Sequence, residues 1–248
     1  MPVHPEKSRP SFFWPLAALV IPPLTAIARF EVIDRDKLPL SGAFILAPNH
    51  YSEIDPVIVA AVAWKLGRAP RFLTKASLFR VPVVGWFLAK SGQIPVERAG
   101  ATRKGAPLQA AQKLVDSGQI VIIYPEGTLT RDPELWPMRG KTGAARMALE
   151  HDLPVIPVAH WGTQQVMARY SKKVSLVPRK TITIKFGDPV DLSAYRGKPL
   201  DSTVAAAATN DIMQAITALL EDLRGEKAPP ERWDPAAHHQ SETGRFES

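Results

Sequence analysis

The chain contains no cysteine and shows no histidine pattern typical of metal binding. Without cysteine there is no disulfide framework, no thiolate metal ligand and no cysteine nucleophile. The six histidines lack the spacing of a metal-binding helix, so we expect no metal site and no bound cofactor. With 248 residues, 45% of them hydrophobic, the chain is long enough to bury the core of one sizeable domain.

Acidic residues are missing from two long stretches of the chain. Residues 56–96 and 153–187 contain no Asp or Glu, and each stretch carries six basic residues. A basic field of this kind favours anionic partners, namely nucleic acid, phosphorylated small molecules or an anionic membrane surface. The alternative is a solvated basic face that only aids solubility. No nucleic-acid-binding motif accompanies the charge, so nucleic acid is the least favoured of the three partners.

The chain also lacks an uninterrupted apolar run long enough to span a membrane. Residues 12–27 carry no charge, but Pro22-Pro23 divides them. A spanning helix needs about 20 apolar residues, and proline in its middle would break it. We therefore predict two short apolar helices joined at the prolines and lying in the membrane interface, with residues 1–30 as the anchoring segment. The alternative is a signal peptide that is cleaved near Ala26-Ile27-Ala28.

Strand and helix patterns alternate between residues 31 and 224 and predict an α/β domain around a central sheet. Strands are predicted at Phe30–Ile33, Ala43–Ala47, Arg71–Leu73, Gln93–Val96, Gln119–Tyr124, Val155–Val158 and Thr181–Phe186. Helices are predicted at Pro56–Trp64, Pro82–Lys90, Ala101–Ser117, Thr142–Glu150 and Val204–Leu223. Residues 225–248 are rich in Pro, Glu, Ser and His, which predicts a disordered tail.

The turn between the Ala43–Ala47 strand and the following helix carries His50 and Asp55. A strand-to-helix turn with this spacing allows the Asp55 carboxylate to fold back onto the imidazole. A carboxylate that accepts a proton from Nδ1 leaves Nε2 as a general base. The alternative interpretation is that Asp55 or Ser52 only caps the helix.

Four ordered blocks of the sequence closely resemble those of the glycerolipid acyltransferase family, typified by bacterial 1-acylglycerol-3-phosphate acyltransferases. The first block, with its His-x4-Asp motif, is Asn49-His50-Tyr51-Ser52-Glu53-Ile54-Asp55. The others are Gly92-Gln93-Ile94-Pro95-Val96-Glu97-Arg98, Pro125-Glu126-Gly127-Thr128-Leu129-Thr130 and Ile156-Pro157-Val158. The resemblance extends over residues 30–190. Around the third block it is similar to the actinobacterial branch of the family, whose members also acylate other glycolipid hydroxyls.

The resemblance implies a mixed central sheet flanked by helices, as in glycerol-3-phosphate acyltransferases. It also implies transfer of an acyl group from a thioester, either acyl-CoA or acyl carrier protein, to the sn-2 hydroxyl of 1-acylglycerol 3-phosphate, giving phosphatidic acid. His50 would be the base and Asp55 would orient it, while backbone N–H groups near Gly127 are candidate oxyanion donors. An enzyme of this kind would lie at the cytoplasmic face of the inner membrane. The implied substrate-binding residues are Lys75, Arg98, Glu126, Gly127, Thr128 and Arg131.

One position departs from the family pattern, because the usual arginine of the third block is Leu129. Arg131 is the nearest replacement, with Arg139 and Lys141 behind it, and Arg98 and Lys75 are further candidates for the acceptor phosphate. For Lys75 an ordinary surface position is an equally good interpretation. Glu126 either binds acceptor hydroxyls or holds Arg98 in place.

Three other functions remain open on the sequence. The acceptor could be another lysophospholipid or a glycosylated lipid. The chain could instead be a lipid-binding peripheral membrane protein without activity, although the intact His50/Asp55 pair argues against this. Finally, water could replace the alcohol, which would make the chain a thioester hydrolase.

Overall fold

Strands and helices alternate along the chain in the computed structural model, which describes residues 7, 11–96, 115 and 117–241. The strands are β1 (Ala28–Ile33), β2 (Phe44–Pro48), β3 (Leu73–Lys75), β4 (Ile94–Val96), β5 (Ile120–Ile122), β6 (Val155–Trp161) and β7 (Lys180–Phe186). The α-helices are α1 (Phe13–Ile27), α2 (Asp55–Lys65), α3 (Val84–Lys90), α4 (Gly143–Glu150), α5 (Thr163–Val166) and α6 (Ser202–Arg224). Most of the predicted elements are therefore present, but the predicted helix Ala101–Ser117 lies almost wholly outside the described residues.

The central sheet has the strand order β1-β7-β6-β2-β5 and is mixed. β2 pairs in parallel with both β5 and β6, and β1 pairs in parallel with β7. The β6–β7 pair is antiparallel. β2, β5 and β6 therefore end at the same edge of the sheet, where ligand sites of α/β sheets gather. The predicted α/β fold with a mixed central sheet is confirmed.

Both faces of the sheet are covered by helices. On one face Phe44 and Leu46 of β2 pack against residues of α1 and α2. On the other face Ile45 and Ala47 pack against residues of α4 and α6. Because neighbouring side chains of a strand point to opposite faces, β2 has to be apolar throughout. This explains why its motif begins only at Asn49, after the strand has ended.

The predicted break at Pro22-Pro23 is wrong, because α1 continues through both prolines. Leu24 is buried in the main core, and the Phe13 ring stacks on Trp64 of α2. These contacts on either side of the prolines hold the helix in one piece, although each proline lacks a backbone N–H. The predicted boundary between residues 30 and 31 falls inside β1, so α1 packs as part of the domain.

The prediction of a disordered tail is wrong for residues 225–241. The backbone N–H of Arg139 donates to the Trp233 carbonyl, and Arg232 donates to Asn210 of α6. A short 3-10 helix follows at Pro235–His238, where Asp234 caps the first turn. Residues 242–248 lie outside the described residues. Within the described part of the chain, no helix is both long and apolar enough to cross a membrane.

Candidate active site

His50 and Asp55 lie at the edge of the sheet where β2, β5 and β6 end. His50 follows β2 by two residues, and Asp55 is the first residue of α2. The Nδ1 atom of His50 lies 3.0 Å from Oδ2 of Asp55. The contact predicted from the His-x4-Asp spacing is therefore present.

Asp55 is completely buried and collects hydrogen bonds from the whole turn. Its Oδ2 accepts the backbone N–H groups of Tyr51 and Ser52, each at 2.8 Å, in addition to the His50 ring nitrogen. Its Oδ1 accepts the Thr163 hydroxyl at 2.6 Å. α2 itself has no side-chain cap, so Asp55 organises the turn that precedes the helix instead of capping it.

The environment of Asp55 favours its charged form. Burial alone would raise its pKa, but the His160 imidazole and the hydrogen bonds from His50 and Thr163 act in the other direction, and the net shift of the pKa is downward. A charged Asp55 can only accept hydrogen bonds. It therefore fixes the proton of His50 on Nδ1 and leaves Nε2 as the nitrogen that can take a proton from a ligand.

The third block forms the loop that follows β5, and it holds the backbone of His50 on both sides. Oε1 of Glu126 accepts the His50 N–H at 2.8 Å, and the His50 carbonyl accepts the Thr130 N–H at 2.7 Å. Oε2 of Glu126 accepts the Met138 N–H at 3.1 Å. Glu126 is completely buried. Its predicted role in binding acceptor hydroxyls is therefore wrong, because both oxygens serve the protein backbone.

Glu126 has a carboxyl that burial keeps largely neutral at pH 7. Burial raises its pKa to about 8, and the two backbone N–H bonds oppose that rise without cancelling it. A neutral or nearly neutral group next to Asp55 avoids placing two charged carboxylates in one buried site.

His160 is a buried site residue that the sequence patterns did not single out. Its Nε2 donates to the Asn49 carbonyl at 2.9 Å, while its backbone carbonyl accepts the Tyr51 hydroxyl at 2.6 Å. The Asn49 side chain bonds both the N–H and the carbonyl of His160. Burial lowers the pKa of His160, so the ring is neutral and its proton lies on Nε2. The only sequence signal was its position two residues after the fourth block.

Tyr124 packs directly against the candidate base. Its ring lies 4.2 Å from the His50 ring, centroid to centroid, and is tilted by 32°. The Tyr124 hydroxyl is buried and has no hydrogen-bond partner among the described residues. Burial, and then the charge of Asp55, raise the pKa of this phenol well above its usual value, so it stays neutral. Tyr124 thus restricts the orientation of the imidazole by contact alone.

A cavity of about 640 Å³ opens beside His50. Ile122, Tyr124, Gly127 and Lys141 are among the residues that line it. Much of the remaining lining is apolar and comes from β3, α3 and the residues around them, including Phe72, Leu73, Leu78, Phe87 and Leu88. The cavity therefore combines one imidazole and one lysine with a long apolar wall.

The basic residues predicted to meet a phosphate occupy different surroundings. Arg131 is buried and does not line this cavity, so the structure does not place it beside His50 as the shifted phosphate ligand. Leu129 is buried as well. Lys141 lines the cavity together with His50. Lys75 is the last residue of β3, and Arg98 lies outside the described residues.

Gly127 lines the cavity and lies together with Thr128 in the turn that follows β5. Gly127 has φ +70°, and an added Cβ would lie 3.0 Å from Cδ of Lys141, so a side chain here would displace the lysine. The Gly127 N–H already donates to the Tyr124 carbonyl at 3.0 Å. This N–H is therefore not available as the predicted oxyanion donor. Thr128 is half-buried in the same turn.

The sequence profile of the family described as Acyltransferase matches residues 29–161, which include His50, Asp55, Glu126 and His160. The chain belongs to the acyltransferase family. A chloroplastic 1-acyl-sn-glycerol-3-phosphate acyltransferase of Brassica napus is 30% identical over 145 residues, 58% of this chain and 40% of that protein. The chain thus spans about two fifths of the length of this plant relative. A Bacillus subtilis protein of the same name is 27% identical over 195 residues, 76% of this chain and 87% of that protein.

The fold of the chain is also similar to that of a solved acyltransferase structure. The crystal structure of the 1-acyl-sn-glycerophosphate (LPA) acyltransferase PlsC from Thermotoga maritima superposes with a TM-score of 0.61. The match covers 87% of this chain and 80% of that one, at 20% identity. The fold that the four sequence blocks imply, a mixed central sheet flanked by helices, is therefore confirmed.

Proposed function

We propose that the chain is an O-acyltransferase that moves a fatty acyl group from acyl-CoA or acyl carrier protein to the sn-2 hydroxyl of 1-acylglycerol 3-phosphate, giving phosphatidic acid. The observation that carries the proposal is the His50–Asp55 pair, buried on its Asp side and facing an apolar cavity on its His side. The names of the relatives support the same reaction.

His50 acts first as the general base. Its Nε2 removes the proton of the acceptor hydroxyl while the alkoxide oxygen bonds to the thioester carbonyl carbon. The tetrahedral intermediate then collapses by breaking the carbon–sulfur bond, and the imidazolium returns its proton to the departing thiolate. Asp55 stabilises the imidazolium between the two steps. The acceptor attacks directly, so no nucleophile of the protein is needed.

The apolar wall of the cavity holds an acyl chain. Phe72, Leu78 and Phe87 offer side chains without hydrogen-bonding demands next to His50. Burial of each methylene group of an acyl chain contributes about 0.8 kcal/mol. A chain of several methylenes in this cavity therefore contributes enough binding energy to place its carbonyl beside the imidazole.

Lys141 meets the acceptor phosphate, because it is the basic residue that lines the same cavity as His50. Arg98, the last residue of the second block, serves the same phosphate. A charge-assisted bond to phosphate contributes about 1.5–3 kcal/mol. The two residues thus replace the arginine that Leu129 has displaced.

The acyltransferase acts as a peripheral or monotopic protein on the cytoplasmic face of the inner membrane. An anionic bilayer attracts the two acid-free basic stretches, residues 56–96 and 153–187. The exposed apolar residues of α1, among them Trp14 and Leu19, suit the interface of such a bilayer. The thioester donors are water-soluble, whereas the acceptor and the product are lipids, so the reaction belongs at this interface.

Mass spectrometry of the products tests the reaction. Purified protein is given one acyl-CoA and, in separate reactions, 1-acylglycerol 3-phosphate, other lysophospholipids, a glycosylated lipid or no acceptor. The expected result is phosphatidic acid from the first acceptor alone. Release of free fatty acid without an acceptor would identify a thioester hydrolase instead, and absence of any thioester consumption would identify a non-catalytic lipid-binding protein.

A second candidate keeps the chemistry and changes the acceptor to a glycosylated lipid. The burial of Leu129 and Arg131 favours it, because neither position offers a charge to a phosphate. Phosphatidic acid formation slower than acylation of the glycosylated lipid would establish this alternative.

A further inference from the structure

Residues 81–86 form an exposed apolar tip, which begins after the 3-10 helix Ala76–Arg80 and includes the first residues of α3. Val83 is 77% exposed and Trp86 is 59% exposed, and Val81 and Val84 are exposed as well. Four large apolar side chains within six residues leave the tip without the polar surface that an aqueous loop normally has.

The backbone at the tip is strained in a way that turns Val83 outward. Val83 has φ 65° and ψ −56°, and the carbonyl of Pro82 accepts the N–H of Val84 at 2.7 Å. This is a γ-turn with positive φ, which is rare and unfavourable for a β-branched residue. A glycine would relieve the strain, so the sequence keeps an apolar side chain at a position where the backbone disfavours it.

Packing beneath the tip holds it rigidly in this conformation. A Cβ added at Gly85 would lie 2.0 Å from the Phe79 carbonyl oxygen, so only glycine allows α3 to approach the 3-10 helix this closely. The Gly85 N–H donates to the Val81 carbonyl at 2.7 Å. The close packing of Gly85 on Phe79 and the hydrogen bond to Val81 therefore hold the strained turn in place.

The tip adjoins the exposed apolar side of α1 and is flanked by basic residues, and both features suit a lipid surface. The Phe12 ring, next to α1, lies edge-on to Trp86 at 5.5 Å, which joins the tip to the exposed apolar side of that helix. Arg80 and Lys90, both exposed, flank the tip, and residues 56–96 contain no acid. Apolar residues, a tryptophan and basic residues without acids are the composition that anchors a protein in the interface of an anionic bilayer.

The tip also borders the active-site cavity. Leu78, Phe87 and Leu88 from the same segment line the cavity beside His50. Insertion of the tip therefore brings the apolar wall of the cavity to the acyl region of the bilayer. A lipid acceptor can then slide from the leaflet to the imidazole without exposing its acyl chain to water.

We propose that Val81–Trp86 is a second membrane-inserting element, which enters the interface of an anionic bilayer separately from α1 and aligns the cavity with the leaflet. The inference rests on the proposed function only in assigning a lipid acceptor to the cavity. Insertion itself is measured without any reaction.

Site-specific fluorescence tests the insertion directly, because the chain has no cysteine of its own. The single variant Val83→Cys is labelled with an environment-sensitive nitrobenzoxadiazole probe and mixed with phosphatidylcholine–phosphatidylglycerol vesicles. The matched control is Thr203→Cys, an exposed position on α6, which packs on the opposite face of the sheet. We expect a blue shift and a rise in intensity at position 83 and neither at position 203. Vesicle-bound protein without a change at position 83 would overturn the proposal.

Unlabelled variants separate insertion from folding. Val83→Gly removes the apolar side chain and relieves the strained φ, so its Tm should equal or exceed that of the native protein. Val83→Asp should lower vesicle partitioning roughly tenfold or more, since a buried valine is worth about one such factor. Thr203→Asp adds the same charge on the opposite face and should leave partitioning unchanged. Equal partitioning of Val83→Asp and the native protein would contradict insertion.

Two further readouts distinguish the possible failures. If Val83→Asp changes a dimer into a monomer in analytical ultracentrifugation and leaves vesicle binding intact, the tip is a contact between two copies and the proposal is wrong.

Activity is measured with acceptor in vesicles and with a short-chain acceptor dissolved as monomers. We expect Val83→Asp to reduce only the first. A native protein that is inactive on both acceptors refutes the proposed reaction, while the vesicle-binding result still decides the insertion.

Discussion

Oε1 of Glu126 accepts the backbone N–H of His50 at 2.8 Å, across 76 residues of sequence. The second oxygen of the same buried carboxyl accepts the Met138 N–H, so Glu126 ties two loops together beneath the candidate base. Glu126 therefore fixes the position of the His50 backbone.

Glu126→Gln should destabilise the protein and change the pH dependence of its stability. An amide presents its NH₂ group to one of the two backbone N–H donors, so one hydrogen bond is lost, at a cost of about 1–3 kcal/mol. In the native protein the folded state holds the Glu126 proton up to about pH 8, whereas the unfolded chain releases it near the usual value of 4.5. The folded state binds more protons between these values, so the free energy of unfolding falls as pH rises through that window.

Urea unfolding of the Glu126→Gln variant at pH 5 and pH 8 measures this effect. The difference between the two pH values should shrink relative to the native protein. Glu134→Gln is the control, because Glu134 is exposed and should leave the pH dependence unchanged. An undiminished pH difference in Glu126→Gln would show that another group carries the titration.

His50→Ala should abolish acyl transfer, and Asp55→Asn should reduce kcat by roughly two to four orders of magnitude, as for the orienting carboxylate of catalytic triads. Asp55→Asn should also lower Tm, because Oδ2 accepts three donors of the turn. Thr163→Val is the matched control, since it removes only the bond to Oδ1. It should cost much less activity. More than about a tenth of native activity in folded His50→Ala would exclude the imidazole as the base.

Tyr124→Phe should retain activity and keep or raise the stability. The variant removes a buried hydroxyl that has no partner among the described residues, and it leaves the ring against His50. Tyr124→Ala removes the ring and should lower kcat, because the imidazole loses the contact that restricts it. Thermal unfolding and steady-state kinetics of the two variants check both statements. A large loss of kcat in Tyr124→Phe would assign the hydroxyl a chemical role.

Lys141→Met should raise KM for 1-acylglycerol 3-phosphate by about ten- to a hundredfold and leave KM for the acyl donor nearly unchanged. Arg98→Ala should have the same effect if both residues meet the phosphate. Arg131→Met is the contrasting variant, because a buried arginine should affect Tm more than KM. An Arg131→Met protein with native Tm and a selective acceptor defect would restore the replacement predicted from the sequence.

Leu19→Asp should weaken vesicle binding without lowering Tm, because Leu19 is 75% exposed on α1. Deletion of residues 1–28, which lie within the predicted anchoring segment, should instead destabilise the domain. It removes Phe13 and Leu24 from the core and Ala28 from β1, where Ala28 pairs with Lys180. Flotation with anionic vesicles and thermal unfolding of both proteins separate anchoring from packing.

The sequence by itself determined the fold class and the contact between His50 and Asp55. Apolar runs of strand length alternate with helical patterns, and His50 and Asp55 lie five residues apart on one turn, so their contact needs only local backbone geometry. Tertiary structure decided which distant residues complete the site. Glu126, Tyr124 and His160 reach His50 and its turn only because β5 and β6 pair with β2 in a particular register.

The basic residues and the prolines also show that tertiary packing can override a prediction made from local sequence. Spacing along the chain placed Arg131 closest to the missing arginine, but its turn folds inward and buries it, while the cavity receives Lys141. Pro22-Pro23 predicts a break by local rules, yet packing of Phe13 and Leu24 on either side holds α1 together. Local patterns set what each segment can do alone. Which side chains meet a ligand depends on burial, and burial is a property of the whole packed chain.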